Sequence, residues 1–256
     1  MFLPAKLNFD DETKKWLDES IEWIISNIGK QYLLLKKNIT TLDFFTKKQV
    51  TSEEEIREIA VYILKQMDFS EKIKFSVIFP DVSEFLNENN DNNEKIKKNK
   101  LSINDNGEIS IGLYPENISP NPIRVVTLIV YELCKYILSY KYKHMGNNEE
   151  LEELAELLSV FYGFGLFSAV SCKFYSSSAE LNGYMTTHTW SYSISGYLNQ
   201  DLYGYIMCSR DILIGNFDKK FFKLLPNTAK ESYRRTKKYF KKYGVPEYFK
   251  KFNEAI

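Results

Sequence analysis

The sequence has little histidine, little cysteine, no excess of either charge and no long apolar run. It contains only 2 His and 3 Cys in 256 residues. The cysteines are Cys134, Cys172 and Cys208, an odd number with wide spacing and no CxxC pair, so they do not form a disulfide framework. With so few imidazoles and thiols, metal chemistry has few ligands to draw on. We therefore expect a cytoplasmic protein held together by an apolar core.

The charges balance, with 34 basic and 34 acidic side chains. A dedicated nucleic-acid-binding protein normally shows a basic excess, so the balance argues against a nucleic-acid partner. The most apolar runs are Val125–Val130 and Val160–Val170, both shorter than the roughly 18–20 residues that span a bilayer. Charges at Lys6 and Asp10 interrupt the N-terminus before any apolar stretch, which argues against a signal peptide. We expect no membrane association.

Apolar residues at helical spacing predict most of the secondary structure. Asp10 is a candidate cap for a first helix that Gly29 closes, and residues 51–55 form a capping box that opens a second helix. The same spacing predicts helices over Asn199–Ile214 and from residue 227 or 228 to 244. The chain therefore reads as mainly helical.

A smaller part of the sequence favours strands and loops. Residues 72–79 are β-branched and aromatic, which is typical of a strand. Residues 101–113 contain a turn signal at 104–107 between two alternating runs, and this predicts a β-hairpin. Residues 87–100 are polar and of low complexity, which predicts a mobile surface loop. Residues 168–195 predict loop with short strand pieces.

The most informative helix is predicted from Pro122 to about Met145. Its centre is apolar on nearly every side, so it should be buried, yet Glu132 and Lys135 lie inside that run. Buried charges are costly unless they are paired. We therefore expect either a Glu132–Lys135 pair or a polar site within the core.

A second helix is predicted over residues 149–167, with Glu152 and Glu156 four residues apart on one face. Gly163 and Gly165 lie near its end, and glycine in a helix costs about 1 kcal/mol relative to alanine. The two glycines predict close packing against another backbone or a bulky ring, with the aromatic residues of the first helix or of residues 196–205 as candidates.

The segment from Tyr131 to Lys135, YELCK, has the frame of the HExxH motif with both histidines replaced. In the intact motif, two histidines one turn apart bind zinc and the glutamate activates a zinc-bound water. On the following helix, Glu152 and Glu156 have the frame of an ExxxD pattern, with Glu in place of Asp. The two frames follow each other in the order found in zincins whose third zinc ligand is a glutamate.

Three blocks of the chain resemble, in order, segments of a poorly characterised bacterial family of zincin-like, gluzincin-type predicted metallopeptidases. They are the helix at 125–138, the segment from Glu152 to Phe167 and the segment from Gly196 to Tyr205. The resemblance implies a single domain over residues 1–256 with an α+β fold. That fold would be a mainly helical zincin-like domain with a small β-sheet or hairpin beside the degenerate active-site helix at 122–145. Residues 149–167 would form the second-ligand helix.

The same resemblance assigns roles to individual residues. Tyr131 and Lys135 stand where the family has its zinc-binding histidines, Glu132 matches the general base, and Glu152 matches the third ligand. Glu156 stands at the Asp of ExxxD. The family uses zinc, but we expect no metal or other cofactor here, because both imidazoles are missing. Lys135 would carry its positive charge where the metal lay and pair with Glu132 and Glu152.

This interpretation predicts a catalytically inactive pseudoenzyme that acts by binding a protein partner. One alternative is an active metal-dependent hydrolase that holds its metal with Glu132, Glu152 and His188. Another is a structural or immunity-type interaction protein. His144 is predicted to stabilise a helix C-terminus, and Cys134 to be a small buried hydrophobe.

The basic C-terminal helix, residues 230–242, carries aromatic residues between its lysines and arginines. It could contact nucleic acid or an acidic partner. Because the whole chain is neutral, we expect a solvated face with its aromatic side chains docked on the core.

Overall fold

A computed structural model describes residues 5–29, 32–33, 36–40, 52–69, 73–77, 100–103, 109–113, 122–143, 147–182, 185–194 and 196–253. The predicted mobile loop at 87–100 lies outside these residues except for its last position, and so do His144 and the turn at 104–107.

The helices of the described residues follow one another along the chain and are named here in that order. They are α1 (Asp11–Ile24), α2 (Glu53–Gln66), α3 (Pro122–Tyr136), α4 (Asn148–Phe161), α5 (Gly165–Ser171), α6 (Gln200–Ile214), α7 (Lys219–Leu224), α8 (Asn227–Tyr243) and α9 (Glu247–Asn253). Two of them, α1 and α3, continue into π-helical turns at Ile25–Gly29 and Ile137–Lys141.

The backbone also forms two sets of paired strands. The first joins β1 (Ile73–Val77), β2 (Lys100–Ile103) and β3 (Ile109–Leu113), with β3 in the middle, parallel to β1 and antiparallel to β2. The second is an antiparallel pair, β4 (Lys173–Asn182) and β5 (Met185–Ile194), in the stretch predicted to be mostly loop.

The expected α+β fold class, with a β-sheet or hairpin beside the active-site helix, is wrong. Of the residues whose side chains the structure describes, 77% are helical. Among these residues, the buried ones that form the core belong to helices and their connections, and α3 packs against α2, α4 and α5. These helices cover one another's apolar faces, so α3 needs no sheet to bury it. The expected fold class came from the family resemblance.

The predicted helix starts agree with the structure. Asp10 accepts a hydrogen bond from the Thr13 backbone N–H at 2.7 Å and caps α1. Ser52 and Glu55 form the capping box of α2, and Asn199 caps α6. Each cap supplies an acceptor for backbone N–H groups that the first turn of a helix leaves without a partner.

The long buried helix is confirmed, with a different end. It begins at Pro122, and its α-helical part stops at Tyr136, short of the predicted end near residue 145. Among its buried side chains are Val126, Ile129 and Leu133, which face the core. The more exposed side of α3 faces α4 and carries the candidate site.

The segment predicted as one helix over 149–167 is two helices, because a turn at Gly163 separates α4 from α5. Gly163 has a φ of +97°, a conformation that favours glycine. The Ile39 backbone N–H donates to the Gly163 carbonyl at 2.8 Å, so residues 37–39 lie directly against the turn. A Cβ on Gly163 would overlap the carbonyl oxygen of Lys37, and one on Gly165 would lie 3.1 Å from Met207. Close packing is confirmed, and at Gly163 the neighbour is another backbone, as predicted; the aromatic candidates are not the nearest neighbours of either glycine.

A buried arginine attaches the connection after α1 to the C-terminal helices. The Arg210 guanidinium on α6 donates to the side chain of Asn38 and to the backbone carbonyl of Lys36. Next to it, the Tyr233 hydroxyl on α8 donates to Asp211 at 2.8 Å. Tyr233 therefore docks on the core, as predicted for the aromatic residues of the basic helix.

No helix in the described ranges is long and apolar enough to cross a bilayer.

Replacing Gly163 by alanine should destabilise the protein, because the new methyl group meets a backbone carbonyl and cannot displace it cheaply. Gly29 is the matched control, since it has a similar φ of +103° but open space around it. We expect Gly163→Ala to lower the free energy of unfolding by about 1–3 kcal/mol more than Gly29→Ala does. Urea denaturation of the two variants checks this, and equal losses would show that only backbone strain matters here.

Candidate functional site

Three of the residues singled out by the sequence meet between α3 and α4. The Lys135 ammonium lies 3.0 Å from Oε1 of Glu152, and 5.2 Å from the centre of the Tyr131 ring. Tyr131 and Lys135 share one face of α3 because they are four residues apart. The Lys135 side chain is 27% exposed and that of Glu152 10%, so the ion pair is largely shielded from water. The predicted pairing of Lys135 with a carboxylate on α4 is confirmed.

Glu132 behaves differently from the expectation. It is only 4% exposed, and it makes no hydrogen bond or ion pair with any other residue in the described part of the chain. Burial raises the pKa of its carboxyl group to about 7, and the nearby charge of Lys135 opposes that rise without forming a contact. The expected direct Glu132–Lys135 pair is therefore wrong, because the ammonium binds Glu152 across the helix interface instead.

Glu156 is held by three donors of its own. Its Oε1 accepts the Tyr197 backbone N–H at 2.9 Å, and its Oε2 accepts the Leu198 N–H and the Tyr203 hydroxyl, each at 2.8 Å. Burial raises its pKa, and these three hydrogen bonds oppose the rise. Glu156 therefore fastens the turn before α6 to α4. Glu156 does not belong to the Lys135–Glu152 ion pair.

The turn can approach Glu156 only because residue 196 is glycine. Gly196 has a φ of +101°, and a Cβ there would lie 2.6 Å from the Glu156 carboxylate. The sequence marked the block from Gly196 to Tyr205 through the family resemblance alone. Its physical role, as the source of donors for a buried carboxylate, could not be read from spacing, because 40 positions separate the two segments.

A cavity of about 190 Å³ opens one turn along α3 from the Lys135–Glu152 pair. Helices α3, α4 and α5 and the turn at 196–197 form its walls, and Tyr131 and Glu156 are among its lining residues. Sequence reasoning missed this cavity. Its other polar lining groups are mostly single Ser and Thr hydroxyls on different helices, and no local pattern joins them.

His188 and Cys134, the remaining candidate residues, are not shown to contribute a metal ligand to the site. His188 lies in β5, opposite Ala179 in the backbone register, and the structure describes only its backbone. Within the described ranges, no group of three His, Cys, Asp or Glu side chains is placed to hold a metal ion. Cys134 is fully buried, and burial raises the pKa of its thiol well above the ordinary value, as expected of a core residue.

Comparison with protein-family models, with curated proteins and with solved structures finds no match to this chain. The zincin-like resemblance therefore stays a prediction.

Replacing Lys135 by methionine should destabilise the protein, because it leaves the Glu152 carboxylate buried without its cation. We expect a loss of about 1–3 kcal/mol, below the value for a fully buried pair because Lys135 is partly exposed. The exposed pair Lys15–Glu19, 3.7 Å apart, is the control, and Lys15→Met should change stability by less than about 0.5 kcal/mol. Adding Glu152→Gln to Lys135→Met should recover part of the loss. A double-mutant cycle measured by chemical denaturation checks this. Additive losses would contradict a functional ion pair.

Replacing Glu132 by glutamine should stabilise the protein in a pH-dependent way. The pKa of Glu132 is raised from 4.5 to about 7 in the folded state, so the fold binds its proton more tightly than the unfolded chain does. The stability that proton binding by Glu132 contributes to the fold is therefore fully present below pH 4.5 and is lost as the pH rises to about 7. The advantage of Glu132→Gln over the parent should grow across that window, towards about 3 kcal/mol. Unfolding curves at several pH values check this, with exposed Glu19→Gln as the control. A constant difference would contradict it.

Proposed function

We propose that this protein is a catalytically inactive, metallopeptidase-like binding protein in which an ion pair replaces the metal centre. The observation that carries the proposal is the contact of Lys135 with Glu152, at 3.0 Å. These are two of the three positions that the family resemblance assigns to zinc ligands, and the third, Tyr131, lies beside the same ammonium.

The charge at this place explains why a metal is not needed. An ammonium between Tyr131 and Glu152 supplies the positive charge that a zinc ion would supply, and it satisfies the same acidic side chain. A divalent cation at this position would be repelled by the ammonium, and Lys135 would have to leave Glu152 to make room. Phenol and ammonium groups are also poor zinc ligands compared with imidazole.

The proposed activity is therefore recognition, with a protein as the partner, as for other folds whose catalytic groups are lost. The three buried cysteines form no disulfide, which favours a reducing compartment, so we propose the cytoplasm as its location. The basic face of α8 remains a second surface that an acidic partner could contact.

Restoring two histidines should create the metal site that the wild-type protein is proposed to lack. We expect the parent to keep no stoichiometric zinc after dialysis, and the Tyr131→His, Lys135→His double variant to keep close to one zinc per chain. Elemental analysis and isothermal titration with Zn²⁺ measure both. The double variant would combine two imidazoles with the carboxylate of Glu152, which is a typical catalytic ligand set.

The control places the same pair of imidazoles on another helix. Val61 and Lys65 are four residues apart on α2, and Val61 is largely exposed, so Val61→His with Lys65→His reports the zinc affinity of two histidines alone. Equal zinc binding by both double variants would contradict the proposed relation to a metallopeptidase site. Stoichiometric zinc in the parent would overturn the pseudoenzyme proposal.

A further inference from the structure

Five hydroxyl groups in the cavity beside the ion pair have their protons committed to each other, to the backbone or to a carboxylate. A hydroxyl has one proton to donate. Ser159 donates its proton to the Glu156 backbone carbonyl at 2.6 Å, so in its 2.9 Å contact with Ser168 it must accept. The proton of Ser168 is therefore committed as well, and both hydroxyls offer only lone pairs to the cavity.

The same count holds for three more hydroxyls of the wall. Thr127 donates to the Ile123 carbonyl at 2.9 Å, so Ser171 is the donor in their 2.8 Å contact. The Tyr203 hydroxyl donates to Glu156. Five hydroxyls on four helices thus present acceptors, and a ligand that fits them must bring donors or a positive charge.

Glu156 gives the cavity a negative charge that no bonded cation cancels. Its three hydrogen-bond donors among the described residues are two backbone amides and a phenol, all neutral. The ammonium of Lys135 is already bound to Glu152. Two positive charges would oppose a cationic ligand. One is Arg124, which lines the cavity and has interactions of its own, and the other is the Lys135 ammonium, 5.2 Å from the Tyr131 ring.

Three tyrosine rings complete the wall. Tyr131, Tyr197 and Tyr203 all line the cavity, from α3, the turn before α6 and α6 itself. Aromatic faces attract organic cations, and rings combined with a carboxylate form the cages that bind quaternary ammonium groups. The volume of about 190 Å³ is far above the roughly 10–15 Å³ that one water molecule needs, so the cavity has room for a small organic head group.

We propose that this cavity is a binding site for a small organic ammonium ion. The acceptor-only hydroxyls, the Glu156 carboxylate and the three rings all favour a positively charged head group over a neutral or anionic one. The site goes beyond the proposed loss of the metal centre and does not depend on it, because the hydroxyls, the carboxylate and the rings would hold the cation without any metal.

Three ligands of nearly equal shape test the charge preference. Choline is the cation, 3,3-dimethylbutan-1-ol is its neutral carbon analogue, and 3,3-dimethylbutanoate is the anion. Isothermal titration or ligand-observed NMR with the full chain should show choline binding at least about tenfold more tightly than the alcohol, with the anion weakest. Equal affinities for choline and the alcohol, tightest binding of the anion, or no binding of any of the three would overturn the proposal.

Variants separate the cavity from non-specific binding. Tyr197 is 45% exposed and its side chain can be removed without opening the core, so Tyr197→Leu should weaken choline binding about tenfold while the protein stays folded. The exposed Tyr243 on α8 lies outside the cavity, and Tyr243→Leu should leave binding unchanged. Arg124→Gln should strengthen choline binding by removing one opposing charge. Thermal melting verifies that each variant is folded, and unchanged affinity in folded Tyr197→Leu would refute the site.

Discussion

A buried carboxylate must find hydrogen-bond donors, and much of this structure is arranged so that Glu156 finds three. Without donors, burying such a group costs several kcal/mol. The backbone N–H groups of Tyr197 and Leu198 and the hydroxyl of Tyr203 supply them. Because these donors come from the turn that opens α6, the requirement fixes that turn against α4. Gly196 is the only residue type that fits beside the carboxylate in that backbone conformation.

Glu152 and Glu156, on the same face of α4, consequently have different kinds of partner. Glu152, one turn earlier, has the Lys135 ammonium as its partner and forms the shielded ion pair between α3 and α4. Glu156 has only neutral hydrogen-bond partners among the described residues, and its carboxylate faces the adjacent cavity. The two carboxylates lie about one turn apart on α4. Glu152 belongs to the proposed relic of a metal centre, and Glu156 belongs to the proposed ammonium site.

Local signals were enough to predict most of the longer helices and several of their starts. Caps at Asp10, Ser52 and Asn199 act on backbone groups within three residues, so the sequence contains both partners of each bond. The pairing of Lys135 with a carboxylate of α4 was also predictable, because an apolar helix cannot leave an ammonium without a partner. The fold class was not, because it was inferred from the family resemblance, and how the helices cover one another depends on contacts between distant segments.

The sequence by itself determined where several helices begin, which of their faces are apolar and that Glu132 lies in the core. Only the tertiary structure decided which carboxylate Lys135 binds, that Glu132 forms no ion pair with another described residue and has a raised pKa, and that Gly163 packs against the backbone of Lys37. It also decided that hydroxyls from four helices line one cavity. The reason is physical: capping and amphipathicity act over a few residues along the chain. Ion pairs, close contacts and cavities depend on distances between segments that the chain brings together only when it folds.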